Sequence, residues 1–350
     1  EGQSDFALIP NTNGQVWTLF VHDNTLFCGH NNGTFLIENQ RAKQIATTPG
    51  TWRFVVPSQA QNVLIQGNYS GFNLLSKQSG QWRFQQAIEG FAASAQQFVF
   101  FEGEIYLNHY YKGVYRLGLN DSLTRIVKNE LVSGLVIEGN AGLVQFDAAL
   151  YYVCKEGMYV LKKGEKSFVK ETVLSQAFSK NGHTPRKLVG DSRYSMWLFT
   201  EKGLLHFTRG EGANDLVNVT EILIDIKLLK TMRGYENIAS LKEERFLIGL
   251  TNGFFGLNLN RLGKLNEEYE ISLNSVQLSG VNQPDSLLDM LEKGNFHYQQ
   301  NNVTFNYSVA QALRFQPVQY QYLLEGLQKD WQEDTGEAKA EFQNLKHGNY

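Results

Sequence analysis

Residues Leu26 to Ile37 read LFCGHNNGTFLI. Two short apolar runs flank a polar turn that closes on glycine, which is the pattern of a β-hairpin. Five further stretches repeat it: VLIQGNYSGFNLL from Val63, IYLNHYYKGVYRL from Ile105, LYYVCKEGMYVL from Leu150, MWLFTEKGLLHF from Met196 and FLIGLTNGFFGLNL from Phe246. Each has a polar turn of three or four residues before or at its glycine. The glycines are Gly33, Gly71, Gly113, Gly157, Gly203 and Gly253, at intervals of 38, 42, 44, 46 and 50 residues. A strand candidate precedes each hairpin, as Val16–Val21 does, and another follows, as Gln81–Phe84 does. Four short strands every 40 to 50 residues match one blade of a β-propeller. The glycine has a mechanical role, since a hairpin turn commonly ends in positive φ, which glycine takes without steric cost. A large β-sandwich is the rival fold, but it requires no such period. Phe6–Ile9 read as the outer strand of a preceding blade, so the expected count is six to seven blades.

The bulk composition agrees. The 350 residues are 42% apolar and 13% aromatic, and aromatic side chains pack well on pleated surfaces. A net charge of −3 gives no electrostatic basis for contact with nucleic acid or an anionic membrane. No apolar run reaches the roughly 20 residues of a membrane helix. No secretion signal opens the chain, and Tyr350 falls within a strand-like pattern, so the sequence reads as part of a longer protein. Cys28 and Cys154 lie in the first and fourth hairpins, near opposite sides of a ring; two free buried thiols are expected. Gly-x-x-x-Gly spacings, as at Gly29/Gly33, sit in short hairpins rather than in apolar 20-mers, so they do not read as packed membrane helices.

The period stops after Leu257. From Glu270 the pattern becomes the alternating strand Ile271–Leu278, then Val303–Tyr307 and Tyr320–Leu324, which suit a small antiparallel sandwich. Tyr320-x-Tyr322-x-Leu324-x-Gly326, then Trp331, then Asn344-Leu345-x-x-Gly348-x-Tyr350 resemble the triple-tyrosine domain. That Ig-like domain follows propeller repeats in the sensor regions of bacterial hybrid two-component kinases and related LuxR-type regulators. The hairpins resemble the family's propeller repeats, Asp191–Trp197 resembles its usual approach to a second strand, and the first hairpins are closer to the LuxR-type branch. The resemblance implies an all-β chain: a propeller over residues 1–268, then an Ig-like unit over residues 269–350 that stops short of its closing strand. It also implies a periplasmic location, a homodimer, a membrane helix and output module outside this chain, and a small ligand such as an oligosaccharide.

No cofactor or metal site is expected, because the sequence holds neither Cys-x-x-Cys nor His-Glu-x-x-His. Gly67–Gly71 lacks the order and the strand-to-helix setting of a nucleophile elbow. The seven histidines are scattered, and the chain is read as non-enzymatic. Six Asn-x-Ser/Thr triplets, at Asn32, Asn68, Asn120, Asn218, Asn302 and Asn306, read as turn and strand polar residues. The hairpin tips are the candidate ligand site, because the resemblance places these turns on the ligand-carrying face. Asn68-Tyr69 and His109-Tyr110-Tyr111 set aromatics where small polar residues suffice, and His30-Asn31-Asn32 joins them. Aromatic faces with a polar rim suit a sugar-like ligand; the competing reading packs these tyrosines on neighbouring blades. The functional rivals are a propeller hydrolase or lyase of polysaccharides, marked by two or more carboxylates at the central funnel, and a protein-interaction scaffold without a small ligand. Tyr320, Tyr322 and Tyr350 read as core or corner residues of the sandwich.

Overall fold

The computed structural model describes residues 8–139, 141–179, 182–190, 195–210, 217–224, 229–242, 244–262, 270–280, 283–288, 297, 299–310, 318, 320–332 and 337–350. Phe6 and Ala7 of the expected preceding strand lie outside these residues, as do Asp191–Tyr194 of the family-like approach. The chain divides into two compact units. One comprises Glu1–Ile222, Lys230–Lys242 and Phe246–Gly256; the other comprises Leu223–Leu229, Glu243–Arg245 and Leu257–Tyr350.

The first unit holds six consecutive antiparallel sheets, five of four strands and the last of three, each with its strands in chain order. We call them blades 1 to 6, at residues 16–46, 53–88, 97–131, 142–171, 185–223 and 238–258. Their first strands are Val16–His22, Arg53–Val55, Gln97–Phe101, Gly142–Phe146, Pro185–Gly190 and Ile238–Ser240. From blade 1 to blade 5 the first strand of each blade lies against that of the next. Trp17 of blade 1 stacks on Tyr235 of the segment leading into blade 6, with centroids 6.0 Å apart, and this contact closes the circle. Among the described residues these sheets form six blades of a β-propeller.

The apolar cores lie between successive blades. Phe27 and Leu36 of blade 1 pack with Phe54, Leu64 and Trp82 of blade 2. Ile65, Phe72 and Leu74 of blade 2 meet Phe98, Ile105 and Leu107 of blade 3. Tyr106 and Val114, on the other face of blade 3, join Leu143, Leu150 and Tyr152 of blade 4. Val144 and Val153 then meet Leu188, Leu198 and Leu205 of blade 5. Ile105 and Tyr106 thus point to opposite neighbours, because consecutive side chains of a strand leave opposite faces. A blade buried on both faces needs unbroken apolar runs, which is why the hairpins read as they do.

All six hairpin glycines have positive φ. At Gly33 the requirement is double: φ is +127°, and an added Cβ would lie 2.1 Å from the Ala46 carbonyl oxygen. The turns are shorter than the sequence implied in blades 1 and 4, where His30 pairs with Gly33 and Cys154 with Gly157 across two residues. Blade 3 has a three-residue loop between His109 and Gly113, and blade 2 a four-residue loop between Gly67 and Phe72. The two longer loops are the ones that carry tyrosines. Cys28 and Cys154 are buried and unbridged, and burial raises both thiols.

In the second unit, Ile271–Gly280, Gln283–Leu287, Asn302–Val309 and Lys339–Phe342 form one antiparallel sheet. Its buried side chains include Val276, Leu278 and Val303. The stretch Tyr320–Leu324 is not a strand; it makes a single antiparallel bridge, Tyr322 to Gln332. The turn at Gly326 takes over at once, with the Gln328 N–H donating to the Leu324 carbonyl. Tyr320 packs on Tyr307 and Tyr322 on Phe342, with centroids at 4.9 and 5.6 Å. Tyr350 is partly exposed, and its hydroxyl donates to the Lys346 carbonyl at 2.8 Å.

Candidate functional site

A cavity of about 930 Å³ opens in the propeller. Its wall gathers the segment leading into blade 3 (Ser94, Gln96, Gln97), the blade 3 hairpin (Asn108 to Tyr111) and the approach to blade 4 (Gly139, Ala141). It is completed by Arg186 and Lys187 at the start of blade 5 and by Arg233, Gly234 and Tyr235 before blade 6. This size and this mixture of aromatic and polar groups fit a small-molecule site.

The tip of blade 3 is built from short-range interactions. The Tyr111 backbone N–H donates to His109 Nδ1 at 3.3 Å. Burial, then the nearby Lys112 charge, lowers the His109 pKa, which keeps the ring neutral with its proton on Nε2. Tyr110 and Tyr111 meet edge to face at 4.6 Å. Tyr110 lies over Gly139, where a Cβ would come within 2.4 Å of its ring. Tyr111 is 79% exposed, so it makes little structural contact. Beneath the tip, Asn108 donates to Gln97 Oε1 and to the Ala141 carbonyl, each at 2.8 Å, which ties blade 3 to the approach to blade 4. The Asn108 Oδ1 atom is buried and has no hydrogen-bond partner among the described residues.

The other expected site residues lie where blades 1 and 2 meet. His30 is 1% exposed, packs edge-on to Phe35 at 5.4 Å and accepts the Asn32 N–H at 3.0 Å through Nδ1. Asn68 is fully buried and accepts from Gln66 Nε2 at 2.6 Å. Gln66 also accepts from Thr34 and donates to Thr51, making a buried polar network between the blades. The Tyr69 hydroxyl donates to Asn31 Oδ1 at 2.6 Å, and its ring contacts Trp52 and Trp17 edge-on. Asn31 Nδ2 donates to Asn32 Oδ1 at 3.3 Å. The structure therefore brings His109, Tyr110 and Tyr111 to the cavity and sets His30, Asn31, Asn32, Asn68 and Tyr69 in contacts within and between blades 1 and 2.

The cavity is cationic. Arg186 pairs with the buried Glu236 at 2.9 Å, and Glu201 sits between Arg186 at 3.8 Å and Arg233 at 3.4 Å. Burial lowers the Lys187 pKa, and the Arg53 charge lowers it further while Glu236 raises it. Burial also lowers Arg53. Among the described lining residues there is no Asp or Glu.

This fold is found in solved structures. The extracellular domain of the protein BT4673, designated a hybrid two-component system of B. thetaiotaomicron, matches at a TM-score of 0.50 and 16% identity, over 99% of this chain and 48% of that one. That of BT3049 from the same organism matches at a TM-score of 0.49 and 15% identity, over 97% and 53%. The β-propeller domain of Cps50 (Swd1) from Myceliophteria thermophila matches at 0.48 and 10%, over 84% and 94%. The chain spans about half the length of the two bacterial structures. No family profile and no curated protein matches it. Among the described residues no helix is long and apolar enough to cross a membrane, and no cluster of His, Cys, Asp or Glu could hold a metal ion.

The hairpin reading missed Arg186, Lys187, Arg233 and Tyr235. They come from the first strand of blade 5 and from the segment that approaches blade 6. A faint signal exists: Arg186-Lys187 and Arg233-Gly234-Tyr235 put cations at the start of, or just before, apolar strands.

Proposed function

We propose that this chain is the extracytoplasmic ligand-sensing and relay region of a bacterial transmembrane regulator, and that its ligand is a sugar-like molecule held in the propeller cavity. The observation that carries the reading is the blade 3 loop. It is one residue longer than the turns of blades 1 and 4, and it presents exposed Tyr110 and Tyr111 at the wall of the cavity. Sugar rings stack on such aromatic faces while a polar wall takes their hydroxyls. The shared fold with an extracellular domain of a two-component protein supports the location. The triple-tyrosine resemblance supports an Ig-like second unit over residues 269–350 that passes the signal toward a membrane segment. Relay would shift a homodimer between two arrangements, and a ligand drives that shift only by binding one of them more tightly. A hydrolase would require free carboxylates at the cavity, and Glu201 and Glu236, which pair with lining residues, are engaged by arginines.

The test is thermal unfolding against a panel of neutral and acidic oligosaccharides, with the wild type and Tyr111→Ala. Stabilisation of the wild type by a member of the panel, lost in the variant at unchanged ligand-free stability, is the expected result. An undiminished shift in Tyr111→Ala places the ligand elsewhere. A panel without effect on the wild type favours the scaffold reading.

A further inference from the structure

We propose that Tyr235 is a second stacking wall of this cavity, facing Tyr110 and Tyr111 across it, and that the ligand is an oligosaccharide of at least two rings held at both ends. The inference rests on the sensor reading of the same cavity and adds the length of the ligand and a further binding residue.

Tyr235 enters the wall from the segment before blade 6, and Tyr110 and Tyr111 enter it from the blade 3 hairpin. Between them the wall is made by the approach to blade 4 and by Arg186 and Lys187 of blade 5. The aromatic groups thus stand at the two ends of one polar arc. Tyr235 stacks on Trp17 with ring centroids 6.0 Å apart and 25° between the planes. It is still 45% exposed, so the side of its ring away from Trp17 is open to the cavity. Ring closure uses only the covered face.

The turn that carries Tyr235 is fixed before any ligand arrives. Gly234 has a φ of +83°, and its N–H donates to Glu236 Oε2 at 2.6 Å. The Tyr235 N–H donates to the Met232 carbonyl at 2.9 Å. Glu236 is buried and pairs with Arg186 at 2.9 Å, which ties the turn to the first strand of blade 5. A buried ion pair adds little net stability, because desolvation offsets the attraction. Here it sets the aromatic ring in place beside the polar wall, and a wall placed in advance lowers the ordering cost of binding.

A sugar ring on Tyr235 and another on the blade 3 tip leave the linkage between them over Arg186 and Lys187, whose side chains offer donors only. A chain long enough to reach both walls makes its second contact intramolecularly, so affinity rises steeply at that length. A single sugar gains one wall only.

Equilibrium titration is carried out with two ladders of one to five residues, the cello-oligosaccharides and the oligogalacturonates, on the wild type, Tyr235→Leu, Tyr235→Phe and Tyr111→Ala. Leucine keeps apolar bulk against Trp17 and removes the flat face; phenylalanine keeps the face. In the wild type one ladder should show a step of about tenfold or more in affinity once the chain reaches both walls. The step should be absent in Tyr235→Leu and in Tyr111→Ala and kept in Tyr235→Phe, while the single sugar binds Tyr235→Leu within about twofold of the wild type. A merely structural role would lower every member of the ladder by the same factor. A second measurement needs no variant: in the wild type, nuclear Overhauser contacts from tyrosine ring protons should reach two different rings of one bound chain.

The inference is overturned if Tyr235→Leu keeps the step, if the single sugar binds the wild type as tightly as the longer chains, or if the tyrosine contacts reach one sugar ring only. In each of these cases, binding that is lost in Tyr111→Ala leaves the sensor reading standing. If no member of either ladder binds the wild type, the sensor reading falls and this inference falls with it.

Discussion

Single residues in this propeller are held by constraints that can be separated experimentally. Gly33 needs both positive φ and the missing Cβ, whereas Gly80, at φ +79°, has open space around it. Gly33→Ala should therefore cost about 3 kcal/mol or more and Gly80→Ala about 1 kcal/mol, read from urea midpoints. Equal costs would mean that the Ala46 carbonyl is no barrier. His206 provides a pH-dependent probe. It is buried on Trp197 at 3.9 Å, and burial lowers its pKa from 6.5 to about 4. The unfolded chain takes up a proton that the folded one refuses between these values. Stability from this residue is therefore full above pH 6.5 and falls as the pH drops toward 4, by about 3 kcal/mol in total. His206→Phe should flatten that part of the stability profile, and an unchanged slope would contradict the burial account.

At the scale of elements, the central hairpin was the most legible feature of the sequence. It is local: two apolar runs, a turn and a glycine within a dozen residues, repeated because every blade buries both faces. The period and the positive-φ glycines follow from that. The site was legible only where a hairpin carried it. Tyr110 and Tyr111 stand out because a turn has no need of them, but His30 and Asn68 look the same in sequence and are committed to the contacts of blades 1 and 2. What separates the two groups is the neighbouring structure, since Tyr69 reaches Asn31, Trp17 and Trp52 while the blade 3 tip faces the cavity, and pattern alone does not give that. The Tyr320–Leu324 stretch shows the same limit, since its alternation suits a strand but the turn at Gly326 restricts it to one bridge. The blade 3 tip depends in turn on its neighbour. Gly139→Ala puts a methyl group into the Tyr110 ring. It should weaken ligand binding about tenfold with little loss of stability, because Tyr110 is half-exposed and can swing outward. Full affinity in Gly139→Ala would remove Tyr110 from the site.

For the whole molecule, the cations could not be found by reading along the chain. Arg186, Lys187 and Arg233 line the same cavity as the blade 3 tip only when the blades close into a ring, and the residues between them carry no shared pattern. The relay reading predicts that the protein containing this region forms a dimer whose arrangement changes on ligand addition. Light scattering that shows a strict monomer with and without ligand would contradict it. The cavity exists only if blade 6 returns to blade 1 through Trp17 and Tyr235. That closure is tested by electron-spin distances between labels at exposed hairpin tips, placed on Asn32→Cys of blade 1 with either Lys155→Cys of blade 4 or Asn252→Cys of blade 6. A closed ring predicts that the 32–252 distance is clearly shorter than the 32–155 distance, because blades 1 and 6 are neighbours and blades 1 and 4 face each other. A 32–252 distance longer than the 32–155 distance would show an open array and contradict the account.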